Sequence, residues 1–294
     1  MGPAAYHVAM PTQYEKARAF ADAHDGPGIV VLPNAWDVGT AILLVEAGFP
    51  FIATTSAGVA FGQGLPDGGM DRSEMLEIVG RIAAAVDVPV TADLEAGYGP
   101  TAEDVALTIG GALAAGAVGC NIEDRSGDRD RPLLDLDLAV ERIRAGAGVI
   151  RTSGIPFVLN ARTDPFLARI GTPEECFAEA VRRANAYREA GAGCLFVPGV
   201  GDAEMIGRLT REIDGPVNVL GAWGGADRAL PVAELRELGV RRVSVGGSLT
   251  LAAFGVVRRA AVELREHGTF GYARDAMSGA EANRLMASRL NQQR

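Results

Sequence analysis

Two pairs of carboxylates in this sequence each follow a short apolar run. Asp93 and Glu95 stand one residue apart at the end of one run, and a Gly-Tyr-Gly turn follows them. Glu123 and Asp124 close a second run of the same kind. Because the carboxyl ends of parallel strands meet at one edge of a sheet, we expect these four acids to lie close together. Crowded carboxylates repel one another unless a cation lies among them, so the spacing predicts a divalent metal site.

Other predicted strand ends supply groups that bind an anion. Arg162 follows an apolar run, and its forked guanidinium suits a carboxylate or phosphonate. Residues 54–58 offer hydroxyls and backbone N–H groups to an anion. A structural role in a turn explains the hydroxyl of Ser56 equally well. The predicted cation is Mg²⁺ or Mn²⁺, because the three histidines lie far from these strand ends and zinc is disfavoured. Together these groups describe a pocket for a small 2-oxo acid, with the metal as Lewis acid toward a developing enolate.

Two glycine-rich segments flank this set of polar residues. Tyr98 lies between two glycines, where it either shapes the turn or covers the pocket. Residues 62–69 lack the Gly-Lys-Ser/Thr ending of a phosphate loop, so they predict a mobile flap that carries Asp67. A single acid at a strand end is commonly a helix N-cap or half of a surface ion pair. Several acids and an arginine at adjacent strand ends favour a functional site instead.

A parallel sheet is needed to bring these groups together, and the pattern of apolar runs predicts one. Short apolar strands alternate with amphipathic helices, and four of the helices end at Gly48, Gly116, Gly191 and Gly239. The strands are expected at 29–32, 51–54, 88–93, 119–123, 156–160, 194–197, 217–220 and 242–245. Eight such units favour a single (β/α)8 barrel of the TIM type as the one domain of residues 1–294. A helix over 249–267 is expected to close the barrel, and an extra polar helix over 278–292 follows it.

Composition and charge exclude several classes of partner. The chain has 294 residues, is 48% hydrophobic and carries a formal net charge of −9, which disfavours binding to nucleic acid and to anionic membranes. No apolar run reaches the ~20 residues that a membrane-spanning helix needs, and no signal-peptide pattern opens the chain. The three cysteines form no CxxC motif and are expected to be reduced and buried. We therefore expect a cytoplasmic protein that binds a small metabolite.

Five segments together make the chain resemble the isocitrate lyase and phosphoenolpyruvate mutase superfamily. They are Pro-Asn-Ala-Trp-Asp at 33–37, Gly-Leu-Pro-Asp at 64–67, Ala-Asp-Leu-Glu-Ala-Gly-Tyr-Gly at 92–99, Ile-Glu-Asp at 122–124 and Ala-Arg-Thr-Asp at 161–164. The similarity covers most of the chain. It implies a Mg²⁺-dependent barrel that makes or breaks C–C or P–C bonds of 2-oxo acids. It also implies a homodimer or homotetramer in which a C-terminal helix is swapped between subunits.

The resemblance assigns roles to individual residues. Asp93 looks like the direct metal ligand, and the acids that match holders of metal-bound water are Asp67, Glu95 and Glu123. Arg162 matches the anion-binding arginine, and the loop that grips the substrate carboxylate corresponds to Ser56, Ala57 and Gly58. Two further strand-end residues, Trp36 and Asn218, are candidates for substrate contact. The candidates for catalysis are Glu123, Arg162 and Tyr98.

Two departures from the family pattern bear on the reaction. Glu95 stands where the family has an aspartate, which is one methylene shorter. The lyase branch carries a Lys-Arg-Cys-Gly-His-like loop after Glu-Asp whose cysteine is the catalytic acid, whereas residues 125–132 here contain neither cysteine nor histidine. Isocitrate and methylisocitrate cleavage by that route is therefore disfavoured. The asparagine-bearing gating loop of the phosphonate mutases and hydrolases is not recognisable either.

Three functions remain open from the sequence. The leading interpretation is metal-assisted C–C cleavage of a small 2-oxo or 2-hydroxy dicarboxylate of the oxaloacetate type, with Glu123, Tyr98 or an ordered water as the acid–base group. The close alternative is a phosphonomutase or phosphonopyruvate-type reaction at a P–C bond. An alternative of another class is a catalytically silent barrel that binds a 2-oxo acid. Loss of the cysteine loop favours this third reading, whereas retention of Asp93, Glu123 and Arg162 opposes it.

Overall fold

The protein is described by a computed structural model over the backbone of residues 11–292 and the side chains of residues 11–287. Its strands are β1 (Val30–Leu32), β2 (Asn34–Ala35), β3 (Ile52–Thr54), β4 (Val90–Asp93), β5 (Gly119–Glu123), β6 (Val158–Arg162), β7 (Cys194–Phe196), β8 (Val217–Leu220) and β9 (Arg242–Ser244). They form one sheet in the order β1-β9-β8-β7-β6-β5-β4-β3-β2, and every neighbouring pair is parallel. The predicted barrel of the TIM type is confirmed.

The first barrel strand is interrupted at Pro33. On one side of the interruption β1 pairs with β9, and on the other side β2 pairs with β3. Proline has no N–H to donate, but the carbonyl oxygen of Pro33 accepts a hydrogen bond from Ala53 N–H at 2.9 Å. The eight strands expected from the sequence therefore become nine, because one strand is split into two that together close the barrel.

Helices alternate with the strands and continue past the last of them. They are α1 (Gln13–Asp25), α2 (Val38–Glu46), α3 (Ser56–Gly62), α4 (Arg72–Ala83), α5 (Ala102–Ala114), α6 (Leu136–Ser153), α7 (Pro165–Ala168), α8 (Pro173–Glu189), α9 (Ala203–Glu212), α10 (Val232–Glu237), α11 (Ser248–His267) and α12 (Gly279–Gln292), with a 3₁₀ turn at Gly271–Asp275. Between residues 11 and 292, no helix combines the length and the apolar character needed to cross a membrane.

The glycines expected to end helices do so in the left-handed conformation. The φ angles are 91°, 86°, 111° and 90° at Gly48, Gly116, Gly191 and Gly239. Each of these glycines directly follows the C-cap residue of its helix, in α2, α5, α8 and α10 respectively. A side chain at such a position would strain the backbone, so glycine fixes the point where each helix turns toward the next strand.

Helix α1 covers the amino-terminal end of the barrel, opposite the carboxyl ends of the strands. Thr12 and Glu15 form a capping box at its start. Gln13 Nε2 donates to the carbonyl oxygens of Leu113 and Ala117, both at 2.8 Å, just before β5. The ring of Phe20 is fully buried in a small cluster that includes Val30, Val118 and Val158. This end of the barrel is therefore sealed, and chemistry is left to the other end.

Helix α11 does not close the barrel as the sequence predicted. Of its 20 described residues only Thr250 is buried, whereas Leu251, Phe254 and Val257 are 58%, 44% and 66% exposed. The predicted polar helix is α12, which packs beside α2 of the same chain, with Arg284 Nη2 3.4 Å from Glu46 Oε1. The long helix thus leaves an apolar surface in solvent, and the swap of a helix between subunits stays a prediction.

Candidate active site

Asp93 ends β4 at the carboxyl edge of the sheet, and three donors hold its carboxylate. Ser56 donates to Asp93 Oδ2 from its backbone N–H at 2.9 Å and from its Oγ at 2.8 Å. Asn121, on the neighbouring strand, donates from Nδ2 to Asp93 Oδ1 at 2.7 Å. The Asp93 N–H in turn donates to Thr54 Oγ1 at 2.9 Å. A carboxylate has about four lone-pair sites, so one site remains open for a cation.

Arg162 ends β6 and lies between two carboxylates. Its Nη1 is 2.7 Å from Glu123 Oε2, and its Nε and Nη2 donate to the two oxygens of Asp164 at 2.7 and 2.8 Å. Burial lowers the pKa of Arg162, but the charges of Glu123 and Asp164 outweigh burial and the net shift is upward. Burial also raises the pKa of Glu123, and Arg162 opposes that shift. The guanidinium is therefore charged and its orientation is fixed.

Asp124, the second acid of its pair, supports Arg162 without facing the open mouth. It is 2% exposed and accepts hydrogen bonds from Thr163 Oγ1 at 2.6 Å and Tyr187 Oη at 2.7 Å. It also accepts from the backbone N–H of Asp164 at 3.1 Å. Asp124 thus fixes the backbone at Asp164, which in turn orients the Arg162 guanidinium.

Glu95 and Tyr98 lie in the turn after β4, and both have positive φ angles, 51° and 55°. Tyr98 Oη donates to Glu95 Oε1 at 3.5 Å. Burial, followed by the charges of Asp93 and Asp67, raises the pKa of Glu95 to about 7. Desolvation and the charge of Asp93 also raise the pKa of Asp67. These acids destabilise one another's charged forms, as expected of carboxylates that are arranged around a cation.

Two arginines hold this turn through its carbonyl oxygens. Arg142, on α6, is 2% exposed and donates from Nη1 to Gly99 O at 2.7 Å and from Nη2 to Ala96 O. Arg72, on α4, donates from Nη2 to Tyr98 O at 2.8 Å. Positive φ angles are unfavourable for residues with side chains, so these contacts keep the turn in its conformation.

A cavity of about 200 Å³ opens at the carboxyl ends of the strands. Its lining includes Asn34, Ala53, Thr55, Ser56, Ala57, Asp67, Asp93, Asn121, Arg162, Leu167, Phe196, Pro198, Leu220, Arg242, Ser244, Gly246 and Gly247. Sites for drug-sized ligands are typically larger, roughly 300–1,000 Å³. The dimensions and the polar lining suit a small organic acid.

The predicted anion-gripping residues Ser56, Ala57 and Gly58 form the first turn of helix α3 rather than a loop. Ser56 and Ala57 line the cavity, but the hydroxyl and N–H of Ser56 both point to Asp93. Gly58 packs tightly against Thr250 and Trp36, where a Cβ atom would clash. Its N–H donates to Thr55 Oγ1 at 3.3 Å. Gly58 therefore allows close packing of α3 and does not reach the cavity.

The structure places two predicted substrate contacts outside the cavity lining. Trp36 packs under α3, beside Gly62, and lines a separate surface cleft with Gln63. Asn218 is fully buried inside the barrel, with its Nδ2 3.4 Å from Ser244 Oγ. Asn218 adjoins the cavity through Ser244, which does line it. Glu123 borders the mouth through its contact with Arg162. Glu95 and Tyr98 are bonded to each other and lie close enough to Asp93 for their charges to interact with it.

The donors present fit a hard divalent cation bound mainly through one carboxylate. In the part of the chain that the structure describes, no three carboxylate, thiol or imidazole groups converge as a ready-made ligand set. Asp93 offers an open lone-pair site, and Asp67 and Glu95 lie close enough for their charges to interact with it. Mg²⁺ keeps several of its waters, so one direct ligand with acids around the hydration shell matches its chemistry.

Several cavity residues escaped the sequence analysis. Asn121 lies within β5 and bonds to Asp93, and Arg242 and Ser244 lie two residues apart on β9. Asn34 Oδ1 accepts from the N–H groups of Val245 and Gly246, both at 2.9 Å, and so ties β2 to the loop after β9. The sequence feature that could have identified these residues is the two-residue period of a strand, because alternate side chains point toward the barrel interior.

The segment that replaces the family's cysteine loop folds back on itself. Ser126 N–H donates to Pro132 O at 3.0 Å, and Arg125 and Leu133 form an antiparallel bridge. All three cysteines are free and buried, as predicted, and burial raises the pKa of Cys194 to about 11. Among the described residues that line the cavity there is no thiol and no imidazole.

Comparison with known proteins agrees with this geometry. The sequence profile of the phosphoenolpyruvate phosphomutase family matches residues 20–265. A solved structure from Burkholderia cenocepacia J2315, described as a candidate lyase or mutase, is 45% identical, with a TM-score of 0.88 over 94% of this chain and 96% of that chain. The 2-methylisocitrate lyase of Escherichia coli (strain K12) is 31% identical over 241 residues, which are 78% of this chain and 77% of that protein.

A third relative, also a solved structure, has the same fold. The crystal structure of 2,3-dimethylmalate lyase is 27% identical to this chain, with a TM-score of 0.83 over 97% of this chain and 98% of that chain. The family profile alone covers well over half of the sequence. The chain therefore belongs to the isocitrate lyase and phosphoenolpyruvate mutase superfamily.

Proposed function

We propose that the protein is a Mg²⁺-dependent lyase or hydrolase that cleaves a C–C bond of a small 2-oxo or 2-hydroxy dicarboxylate of the oxaloacetate type. The observation that carries the proposal is the Asp93 carboxylate, held by three donors at the lip of a cavity of about 200 Å³ with one lone-pair site open. A purely structural acid would have its lone pairs satisfied by the fold, as Asp124 does by accepting four hydrogen bonds, the fourth of them from Arg183 Nη1 at 3.2 Å.

Each group of side chains at the site would have a defined role in such a reaction. Asp93 would hold the cation, and Asp67, Glu95 and Glu123 would hold its waters. When bound, the cation supplies Lewis acidity toward the enolate that C–C cleavage releases. Arg162, kept charged by Glu123 and Asp164, adds positive potential at the mouth. Gly246 and Phe196, with Leu167 beside them, shape the wall of the cavity and limit the length of the substrate.

The departing carbanion needs a proton, and the family's cysteine is absent. A proton donor has to reach within about 3 Å of the carbon that it protonates. Tyr98 stays protonated at the turn, because desolvation raises the pKa of its phenol, and its Oη donates to Glu95. A phenol with a raised pKa is a weak acid by itself, so Tyr98 would act together with an ordered water in place of the thiol.

Two observations on relatives support C–C rather than P–C chemistry. The 2-methylisocitrate and 2,3-dimethylmalate lyases, at 31% and 27% identity, are named for a substituted tricarboxylate and a substituted dicarboxylate. The family profile, however, is named for a phosphomutase, so phosphonopyruvate-type chemistry is the second candidate. The absent cysteine loop separates this chain from the lyases that depend on that residue, and it points to a smaller substrate.

A substrate screen tests the proposal. The protein is incubated with Mg²⁺ and, separately, with oxaloacetate, dimethylmalate, isocitrate, methylisocitrate and phosphonopyruvate. Release of oxalate, pyruvate, glyoxylate or phosphate is measured against the Asp93→Ala variant, because Mg²⁺ alone slowly decarboxylates oxaloacetate. We expect turnover of a small dicarboxylate and negligible glyoxylate from isocitrate.

The other outcomes of this screen each contradict the proposal in a definite way. Robust glyoxylate release from isocitrate means that another residue has replaced the cysteine. Turnover of phosphonopyruvate alone assigns the site to P–C chemistry. If no compound reacts, yet Mg²⁺ and a 2-oxo acid together raise the melting temperature, the protein is a silent binding barrel.

A further inference from the structure

Arg242 is a buried arginine at the deep end of the cavity. It begins β9, is 1% exposed and lines the same cavity as Asp93. Ser244 lies two residues further along the strand and also lines the cavity, so both side chains face the barrel interior. The guanidinium carbon lies 5.7 Å from the centre of the Phe20 ring, which belongs to the helix that seals the opposite end. Arg242 therefore lies between the sealed end and the open mouth.

Two nitrogens of the Arg242 guanidinium lack hydrogen-bond partners in the described part of the chain. Over residues 11–287, neither its Nε nor its Nη1 has a hydrogen-bond acceptor. The charge of Asp93 interacts with it, but neither of these two nitrogens is hydrogen-bonded to Asp93. A buried charge without a partner is strongly unfavourable, and contact with one aromatic ring offsets only a small part of that. Such a group is retained at a cavity when a ligand supplies the missing acceptors.

Arg162, in contrast to Arg242, is already bonded to carboxylates of the protein. Three of the Arg162 nitrogens are already bonded to Glu123 and Asp164, so much of its hydrogen-bonding capacity is occupied before any ligand arrives. Arg242 lines the same cavity with two buried N–H nitrogens that have no acceptor among the described residues. An incoming anion finds more unsatisfied positive charge at Arg242 than at Arg162.

We propose that Arg242 binds a carboxylate of the substrate at the deep end of the cavity. This inference rests on the proposed function in one respect, that the ligand is the substrate. The site then has two ends, with the cation-binding Asp93 at the lip and a guanidinium fork below it. A dicarboxylate whose 2-oxo or 2-hydroxy end reaches Asp93 would place its second carboxylate on Arg242.

This arrangement selects for dicarboxylates. A site built around a buried polar group rejects an analogue that leaves that group unpaired, because the desolvated group then has no partner. A monocarboxylate such as pyruvate occupies the lip and leaves Arg242 unpaired. The forked guanidinium suits a planar carboxylate held by two parallel bonds.

Binding measurements on an Arg242→Met variant test the inference without turnover. Malonate, a non-reacting dicarboxylate, and pyruvate, a 2-oxo monocarboxylate, are titrated by calorimetry with Mg²⁺ present. We expect Arg242→Met to weaken malonate binding by about tenfold or more and to change pyruvate binding by less than about twofold. The matched control is Arg241→Met, the same substitution one residue earlier, on a side chain that donates at the surface to Gly28 O. It should bind both compounds as wild type does.

Melting temperatures separate a binding role from a structural role. Because Arg242 has no protein acceptor for two of its nitrogens, the ligand-free Arg242→Met variant should melt at or above the wild-type temperature. Equal malonate affinity in the two proteins, or no malonate binding by wild type, would overturn the inference. A large fall in the ligand-free melting temperature, or failure of both Arg242→Met and Arg242→Gln to fold, marks Arg242 as structural and overturns it too. Failure of the proposed function shows up separately, as no wild-type turnover in the substrate screen.

Discussion

Single residues at the cavity mouth balance one another's charge. Arg162 is bonded to Glu123 and to the fully buried Asp164. Its replacement by methionine would leave both carboxylates without their cation. Breaking a buried ion pair from one side typically destabilises a protein by about 3–5 kcal/mol. We therefore expect Arg162→Met to lower the free energy of unfolding by that amount, measured by urea denaturation at pH 7.

The control for this prediction is an arginine in an exposed pair. Arg182 is 56% exposed and bonds to Glu179 on the same helix face. Arg182→Met should lower the free energy of unfolding by less than about 1 kcal/mol, since solvent screens such pairs. If Arg162→Met were as mild as Arg182→Met, the two carboxylates would not depend on Arg162.

Residues at strand ends could be predicted from the sequence, and residues within strands could not. An acid followed by a glycine-containing turn, as at Asp93, indicates both a strand end and a polar environment. Asn121 and Arg242 stand inside apolar runs, where the sequence does not reveal whether a side chain faces the barrel or its surrounding helices. Ser56 lines the cavity, but its helical conformation and its bonds to Asp93 depend on the neighbouring strand.

At the scale of elements, the turn after β4 depends on helix α6. Arg142 donates hydrogen bonds to the carbonyl oxygens of Ala96 and Gly99. Arg142→Met would leave these acceptors unsatisfied, at a cost of about 1–3 kcal/mol each. We expect the turn to open more often, and hydrogen exchange at the amides of residues 95–99 to accelerate.

A neighbour on the same helix provides the comparison for this prediction. Arg144 is exposed, two residues along α6 from the buried Arg142. Arg144→Met should leave exchange in the turn unchanged. Unchanged exchange in Arg142→Met as well would show that Arg72, through Tyr98 O, holds the turn without help.

Helix α1 contributes a pH-dependent term to stability through His24. The residue is 3% exposed and its Nδ1 is 2.7 Å from Phe20 O. Burial, followed by the charge of Arg242, lowers the pKa of His24 from 6.5 to about 4. The unfolded chain therefore binds a proton more readily than the folded protein between these values. The contribution of the neutral, buried His24 to the free energy of unfolding is complete above pH 6.5 and is lost as the pH falls toward 4.

His24→Gln removes this contribution. The free energy of unfolding of wild type should fall between pH 7 and pH 5 by about 2 kcal/mol more than that of His24→Gln, measured by urea denaturation. His267→Gln, at an exposed histidine, should show the wild-type difference. Parallel pH profiles for wild type and His24→Gln would mean that His24 is protonated with its ordinary pKa.

The ends of helices and strands were predictable where they depend only on residues that are adjacent in the sequence. The glycines after helices fixed four helix ends, because their left-handed conformation needs no distant contact. The split at Pro33 was not foreseen, since it depends on pairing with β3 and β9, which are remote in the sequence. Helix α3 was read as a loop because its seven residues, Ser56–Gly62, are too short and too rich in glycine to show a helical period.

At the scale of the whole molecule, the alternation of strands and helices was enough to predict the barrel, but not the position of its last long helix. Helix α11 extends away from the barrel, with Leu251, Phe254 and Val257 exposed. A continuous apolar surface of this kind is typical of a subunit interface. The helical spacing of apolar residues does not show whether they pack against their own barrel or against a second copy of the chain.

We predict that the protein is a dimer or tetramer that assembles through α11. Light scattering after size exclusion should give a multiple of the 30.6 kDa chain mass at micromolar concentration. Leu251→Glu combined with Val257→Glu should shift the protein toward the monomer, because charges on the apolar face oppose its burial. Glu substitutions at the exposed Arg258 and Arg259 are the control, and should be less disruptive. A wild-type monomer of chain mass would contradict the prediction.

Mn²⁺ binding shows whether Asp93 holds a divalent cation at the cavity. Free Mn²⁺ is followed by electron paramagnetic resonance in titrations of wild type, Asp93→Ala and Asp214→Ala. Asp214 is an exposed acid just before β8, at the opposite edge of the sheet. We predict that wild type and Asp214→Ala bind one Mn²⁺ per chain, that Mg²⁺ displaces it, and that Asp93→Ala does not bind it. Equal Mn²⁺ affinity in Asp93→Ala and wild type would contradict the account.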